Sequence, residues 1–162
     1  MASEAVERES LKDEMRNVVE EARMVIPGVQ ALFGFQTMAV FNNRFEDLPA
    51  SGVAAYVAGL AMLAIAIAML MAPAACHRMS ERGQVSRSLI DLSSRLLTWG
   101  MLPLMLGLSL DIFVVVLATM DDAREALVGG IAALVLFAAF WYVLPAVRRR
   151  RSAAAAASAR GR

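Results

Sequence analysis

An all-α transmembrane bundle of four helices, preceded by an amphipathic cytoplasmic helix, follows from three observations. First, four apolar stretches (24–41, 53–75, 97–119 and 126–147) divide the 162 residues, with 59% of the chain hydrophobic. Each is close to the roughly 20 residues that a helix rising about 1.5 Å per residue needs to cross a bilayer core of about 30 Å. Second, the basic residues alternate in number from one intervening segment to the next. Arg8, Lys12, Arg16 and Arg23 precede the first stretch, and Arg44 alone follows it. Arg78, Arg82, Arg87 and Arg95 lie in the next segment, Arg124 alone in the one after, and six arginines from 148 to 162 close the chain. With four crossings, 14 of the 16 basic residues fall on one side, which the positive-inside bias assigns to the cytoplasm with both termini. Third, the first 23 residues are charged throughout and show no small-residue cleavage site after the apolar stretch that follows, so no cleavable signal peptide is expected.

Residues 1–23 read as an acidic amphipathic helix. Ser10 and Asp13 resemble a capping box, and Leu11, Met15, Val18, Ala22 and Val25 recur at helical spacing. The seven acids of this segment (Glu4, Glu7, Glu9, Asp13, Glu14, Glu20 and Glu21) argue against attraction to anionic lipid. A helix on the cytoplasmic surface, a continuation of the first span and a partner-binding helix all fit. Pro27 is expected to kink or restart the chain where it enters the membrane.

The first span, 24–41, is diluted by Pro27, Gly28, Gln30, Gly34, Gln36 and Thr37. Dropping it gives a three-span chain whose basic residues divide ten against six, a much weaker bias. Its amides are better satisfied inside a bundle than against lipid. In the second span, 53–75, Ala61, Ala64, Ala68, Ala72 and Ala75 repeat at helical spacing and suggest a close-packing face. Pro73 is expected to break that helix just before Cys76-His77-Arg78. The third span, 97–119, contains Asp111, and the fourth, 126–147, ends at Arg148–Arg151, a basic anchor facing anionic lipid. Residues 148–162 read as a basic disordered tail, rich in alanine, serine and arginine. Nucleic-acid binding is not expected, since no aromatic or folded module accompanies the charge. Arginine outnumbers lysine 15 to 1 and alanine abounds, as in a GC-rich bacterial genome, so the expected compartment is a bacterial inner membrane.

Asp111 stands out as the candidate to carry chemistry. A carboxylate at the centre of a spanning helix costs about 2.5–3.5 kcal/mol on insertion scales, and such groups normally face a bundle interior or a wet cavity. Packing by one interhelical hydrogen bond and a role in ion movement both remain open. Depth suggests a partner. Gln36 lies 12 residues past Met24 and Asp111 lies 13 past Thr98, so both are roughly 18–20 Å in from the same side. Gln36 or Thr37 reaches Asp111 if the two helices are neighbours. Arg23, Pro27, Gln30, Gly34 and Thr37 form one helical stripe, the pattern of a proton or cation path and equally of a polar packed helix. Gln36 lies about 100° round from Thr37.

Other signals are weaker. Met69, Met71, Cys76, His77 and Met79 offer soft ligands suited to Cu(I), but Met69 and Met71 lie about 200° apart on a helix, and no metal site is expected. One cysteine excludes an internal disulfide. Trp99, Trp141, Tyr142 and Tyr56 read as interface belts. No nucleophile–base pair, Walker loop, HExxH or dinucleotide fingerprint occurs, so neither an enzyme nor a cofactor is expected.

Three segments carry a family resemblance. They are Glu21-Ala-Arg23 through Pro27-Gly28-Val-Gln30-Ala-Leu-Phe33-Gly-Phe35, then Phe41-Asn-Asn-Arg44-Phe45, and Ala72-Pro73-Ala-Ala-Cys76-His77-Arg78. Together they resemble the bacterial DUF6328 family of small four-span membrane proteins, over about a third of the chain. The residues matching its motifs are Glu21, Arg23, Gly28, Gln30, Phe33, Phe35, Arg44, Phe45, Pro73, His77 and Arg78, with Cys76 where an aromatic is expected. Some members carry a sodium:proton antiporter label. Known antiporter folds use many more spans in inverted repeats, so four spans would form such a path only as an oligomer. The resemblance also draws attention to Glu21, Arg23, His77 and Arg78 at the cytoplasmic face, where Arg23 is placed to pair with Glu20 or another acid. Two functions are therefore expected: an oligomeric proton or monovalent-cation transporter or channel using Asp111, Gln30, Gln36 and Thr37, or a non-transporting scaffold or regulatory subunit recruiting a protein partner through its N-terminal helix. Either sits in the lipid bilayer as a homo-oligomer.

Overall fold

The computed structural model describes residues 2–41, 43–79 and 87–151, and the side chains among them except at 2–12, 14, 15, 18, 22, 43, 44, 77–79 and 87–89. Among these residues the chain is helical. Helix α1 (Ala2–Ala39) is followed by a single turn, α2 (Asn43–Glu46), then α3 (Ala50–Met79), α4 (Arg87–Met120) and α5 (Ala123–Ala138). The last continues through a π-helical turn, Ala139–Val143, and a further helical stretch to residue 151.

Three stretches are long and apolar enough to cross a membrane: Ala50–Cys76, Ile90–Met120 and Ala123–Arg151. The second half of α1 falls short of that measure, for the reason visible in its composition: glycine, proline and two glutamines interrupt it. Even so it packs on α3 and α4. Gln36 of α1, Gly59 of α3 and Asp111 of α4 meet at one level, and Tyr142 of α5 bonds Thr98 of α4 nearer the other end. The long helices therefore alternate in direction. Residues 40–41, 43–49 and 121–122 lie at one end of the bundle (the link end), and Arg95 and Arg148–Arg151 lie at the other (the basic end).

Several boundaries depart from the sequence expectation. Ser10 does not start a helix; α1 runs unbroken from Ala2 through Pro27 to Ala39, a rod of about 57 Å. Proline withholds one N–H from the ladder, but that loss neither ends nor restarts this helix. Pro73 likewise leaves α3 intact to Met79 and is itself fully buried. The connection expected at 120–125 shrinks to Asp121 and Asp122. Asp121 takes a left-handed backbone conformation (φ 51°), and Asp122 caps α5 by accepting from the Arg124 N–H at 2.7 Å.

The α3–α4 seam holds the bundle together. On α3 the inward line is Gly52, Tyr56, Gly59, Leu63, Ala66, Leu70 and Pro73; on α4 it is Ile90, Ser93, Leu97, Gly100, Leu104, Gly107, Val114 and Leu117, all buried. Both follow a seven-residue repeat, with small residues on one line and large ones on the other, which lets two helices interdigitate closely. A Cβ added at Gly107 would lie 3.2 Å from the Gly59 carbonyl oxygen, so the backbones pass with no room for a side chain. The alanine stripe expected to be the packing face points elsewhere: Ala61, Ala64, Ala68 and Ala75 are exposed and only Ala72 is partly covered. Val29 of α1 joins Leu63, Ala66, Leu70, Leu97 and Leu104 in the core, with Trp141 of the π turn packed against it.

Candidate functional site

Position 111 of α4 continues the line Ile90, Leu97, Leu104 at the next seven-residue step, so the carboxyl group of Asp111 enters the seam instead of facing outward. There it accepts a hydrogen bond from Nε2 of Gln36, whose side chain is 93% buried. Gly59 makes the pairing sterically possible. A Cβ at that position would stand 3.0 Å from Asp111 Oδ1 and 3.1 Å from Gln36 Nε2. The oxygen of the same amide, Gln36 Oε1, is buried with no hydrogen-bond partner among the described residues.

Tyr56 closes the site towards the link end. Its hydroxyl donates to the main-chain carbonyl of Gln36, in the last turn of α1, where helix carbonyls run short of N–H partners. Its ring packs edge-on against Phe45 with centroids 4.9 Å apart. Beyond it lies a partly open apolar groove of about 400 Å³, lined by Ala39, Phe45, Leu48, Tyr56, Val114, Val115, Ala118 and Thr119. Towards the basic end the seam is closed by Leu63, Ala66 and Leu104. The arrangement is thus a polar pair inside the seam, with Tyr56 between it and the apolar groove. What it offers chemically is one carboxyl group held beside one amide.

A model of a family described as a family of unknown function, DUF6328, matches residues 4–145, which includes every helix that builds this site. The chain belongs to the DUF6328 family. Comparison with curated proteins and with solved structures returns no match.

The remaining DUF6328 candidates are scattered. Gln36 meets Asp111, as equal depth suggested, but Thr37 bonds the carbonyl of its own helix at Phe33 (2.8 Å) and is exposed. Gln30 is exposed as well, with the whole stripe Arg23, Pro27, Gln30, Gly34 and Thr37 on the outer face of α1. The polar stripe and the buried carboxyl therefore lie on opposite sides of one helix, and within a single chain they form no continuous path. Glu21 and Arg23 are exposed near the basic end; the side chains of His77, Arg78 and Arg44 lie outside the described residues. Glu20 pairs with Arg16 at 3.3 Å, one turn back, and not with Arg23. Of the other motif residues, Phe33 packs against the core and Pro73 is buried, while Phe35 is largely exposed. Met69 is partly covered and Met71 exposed, Cys76 is a free thiol, and His77 and Met79 fall outside the described side chains.

Two site residues escaped sequence reasoning. Tyr56 reads as an interface belt, yet it is 5% exposed and bonded inside the bundle. Gly59 drew no notice in a span full of small residues. The signal for both was the seven-residue repeat Gly52, Gly59, Ala66, Pro73 beside Tyr56, Leu63, Leu70.

Proposed function

We propose that this chain is a proton- or monovalent-cation-translocating protein of a bacterial inner membrane, acting as a homo-oligomer with Asp111 as its charge-carrying group. The observation that carries this reading is the Gln36–Asp111 hydrogen bond inside an apolar seam, with Tyr56 between the pair and an apolar groove at one end. A carboxyl group placed there costs several kcal/mol to insert, and packing alone is served as well by leucine. The second half of α1 runs beside α4 to the level of Asp111, which supports counting it as a fourth crossing, with both termini on the cytoplasmic side. The outward polar stripe of α1 supports the oligomer. Lipid cannot satisfy the Gln30 amide, whereas a second copy against that face would cover it and complete a polar route from the basic end.

Flux measurements in liposomes test the reading. Wild-type protein is expected to dissipate an imposed proton or sodium gradient, and folded Asp111→Asn is expected to leave it standing. Equal flux from both would sink the proposal.

The acidic half of α1 favours a second reading, a non-transporting scaffold or regulatory subunit. Asp13, Glu20 and Glu21 are exposed on the half of α1 that precedes Ile26 and Val29, where the helix meets the core. On this reading, removing residues 1–19 abolishes a co-purifying protein in gently solubilised membranes while the bundle stays folded. Identical co-purification profiles would count against it.

A further inference from the structure

The Gln36–Asp111 pair is short of one donor. A glutamine amide presents two N–H donors and one carbonyl oxygen, and an ionised aspartate presents only acceptors. Here Nε2 donates to Asp111 Oδ1, while Oε1 is buried with nothing donating to it. Turning the amide by 180° does not cure the deficit, because it sets Oε1 against Oδ1, two acceptors in contact. Among the described residues no neighbouring side chain supplies the missing hydrogen. From α3 the facing groups are Gly59, which has no side chain, and Tyr56, whose hydroxyl is committed to the Gln36 carbonyl. From α5, Gly129 and Gly130 lie against this stretch of α4. Among the described residues no charged side chain pairs with Asp111. Buried acceptors in native proteins nearly always find a donor.

We propose that the donor is a proton on Asp111 itself, so that Asp111 and Gln36 form a neutral acid–amide pair. One carboxyl oxygen accepts from Nε2–H and the other, as O–H, donates to Oε1, giving two hydrogen bonds in a closed ring. This names the cargo of the transport reading above, and rests on it for that role only: the site takes a proton and not an alkali cation. A desolvated alkali cation needs a shell of oxygens to replace its water, and the pair offers one amide oxygen and one carboxyl group. Release is a simple dissociation. The O–H bond breaks, the electron pair stays on the carboxylate, a water molecule takes the proton, and Oε1 loses its donor.

Infrared spectroscopy of protein labelled with ¹³C at the aspartate side-chain carboxyls reads this directly. The other five aspartates, Asp13, Asp47, Asp91, Asp121 and Asp122, are exposed, so a labelled band that disappears with Asp111 belongs to the buried acid. Wild type in liposomes at pH 7 is expected to show one isotope-shifted protonated-carboxyl carbonyl band. That band should vanish in Asp111→Asn and move to higher frequency in Gln36→Leu, where the acid loses both bonds. The wild-type spectrum stands even if a variant fails to fold. Carboxylate bands alone in wild type would overturn the proposal. So would a band unmoved in folded Gln36→Leu, since the proton would then not be shared with the amide. A protonated band without flux leaves the pair standing and removes transport; sodium flux with an ionised Asp111 does the reverse.

Discussion

Gly59 is the residue on which the polar site turns, because its missing side chain is the space that Asp111 and Gln36 share. Alanine there places a carbon 3.0 Å from one partner and 3.1 Å from the other, closer than either can tolerate without moving. Gly59→Ala is expected to destabilise the protein by about 1–3 kcal/mol, the usual cost of overpacking a tight site. Gly28 is the control. It is also helical, but an added Cβ meets nothing within 4 Å, so Gly28→Ala should be neutral or gain up to about 1 kcal/mol from helix propensity. Thermal unfolding in detergent distinguishes the two. Equal shifts would mean that Gly59 is an ordinary helical glycine and that the pair has room to spare.

At the scale of elements, counting residues from a shared membrane face placed Gln36 and Asp111 together, because rise per residue is fixed and both helices enter from one end. Helical periodicity did less well. It grouped Ala61, Ala64, Ala68, Ala72 and Ala75 correctly on one face, and Gln30, Gly34 and Thr37 on another, but it assigned the alanines to the packing seam and the polar stripe to the path. Their faces look outward. In a water-soluble helix the polar side is the outer side; in a membrane helix the outside is also apolar, so periodicity shows which residues share a face and not which face is inside. The proline breaks at 27 and 73 failed for a different reason. A helix buried against neighbours keeps its course despite one missing hydrogen bond, and Pro73 is packed on all sides. The connection between α4 and α5 yields a pair of opposite effects at adjacent positions. Asp121 holds a left-handed conformation that costs an ordinary residue about 1–2 kcal/mol, so Asp121→Gly should raise the unfolding temperature. Asp122→Ala removes the cap of α5 and should lower it, by about 1 kcal/mol. Changes of the same sign in both would contradict the turn as described.

At the scale of the whole molecule the open question is how many times the chain crosses. Three helices qualify on length and composition, and the charge bias in the sequence asks for a fourth. Single cysteines in a Cys76→Ser background decide it. Asp13 and Asp47 are both exposed and flank the second half of α1. With four crossings, an impermeant thiol reagent added to sealed vesicles of one orientation labels Asp47→Cys or Asp13→Cys but not both. Labelling of both from the same side would leave α1 on the surface and the basic residues divided ten against six.

The continuity of α1 also has a mechanical meaning. One hydrogen-bonded rod carries the acidic positions at its start and Gln36 three residues from its end. A torque applied at the acidic end has no loop in which to dissipate before it reaches the amide. Since neighbouring residues on a helix point about 100° apart, a modest rotation carries Gln36 away from Asp111 and brings a different side chain round. On the two readings proposed above, grip at one end and loss of a proton at the other would be strokes of the same shaft, and a partner at the acidic end would drive the carboxyl group rather than compete with it for a role.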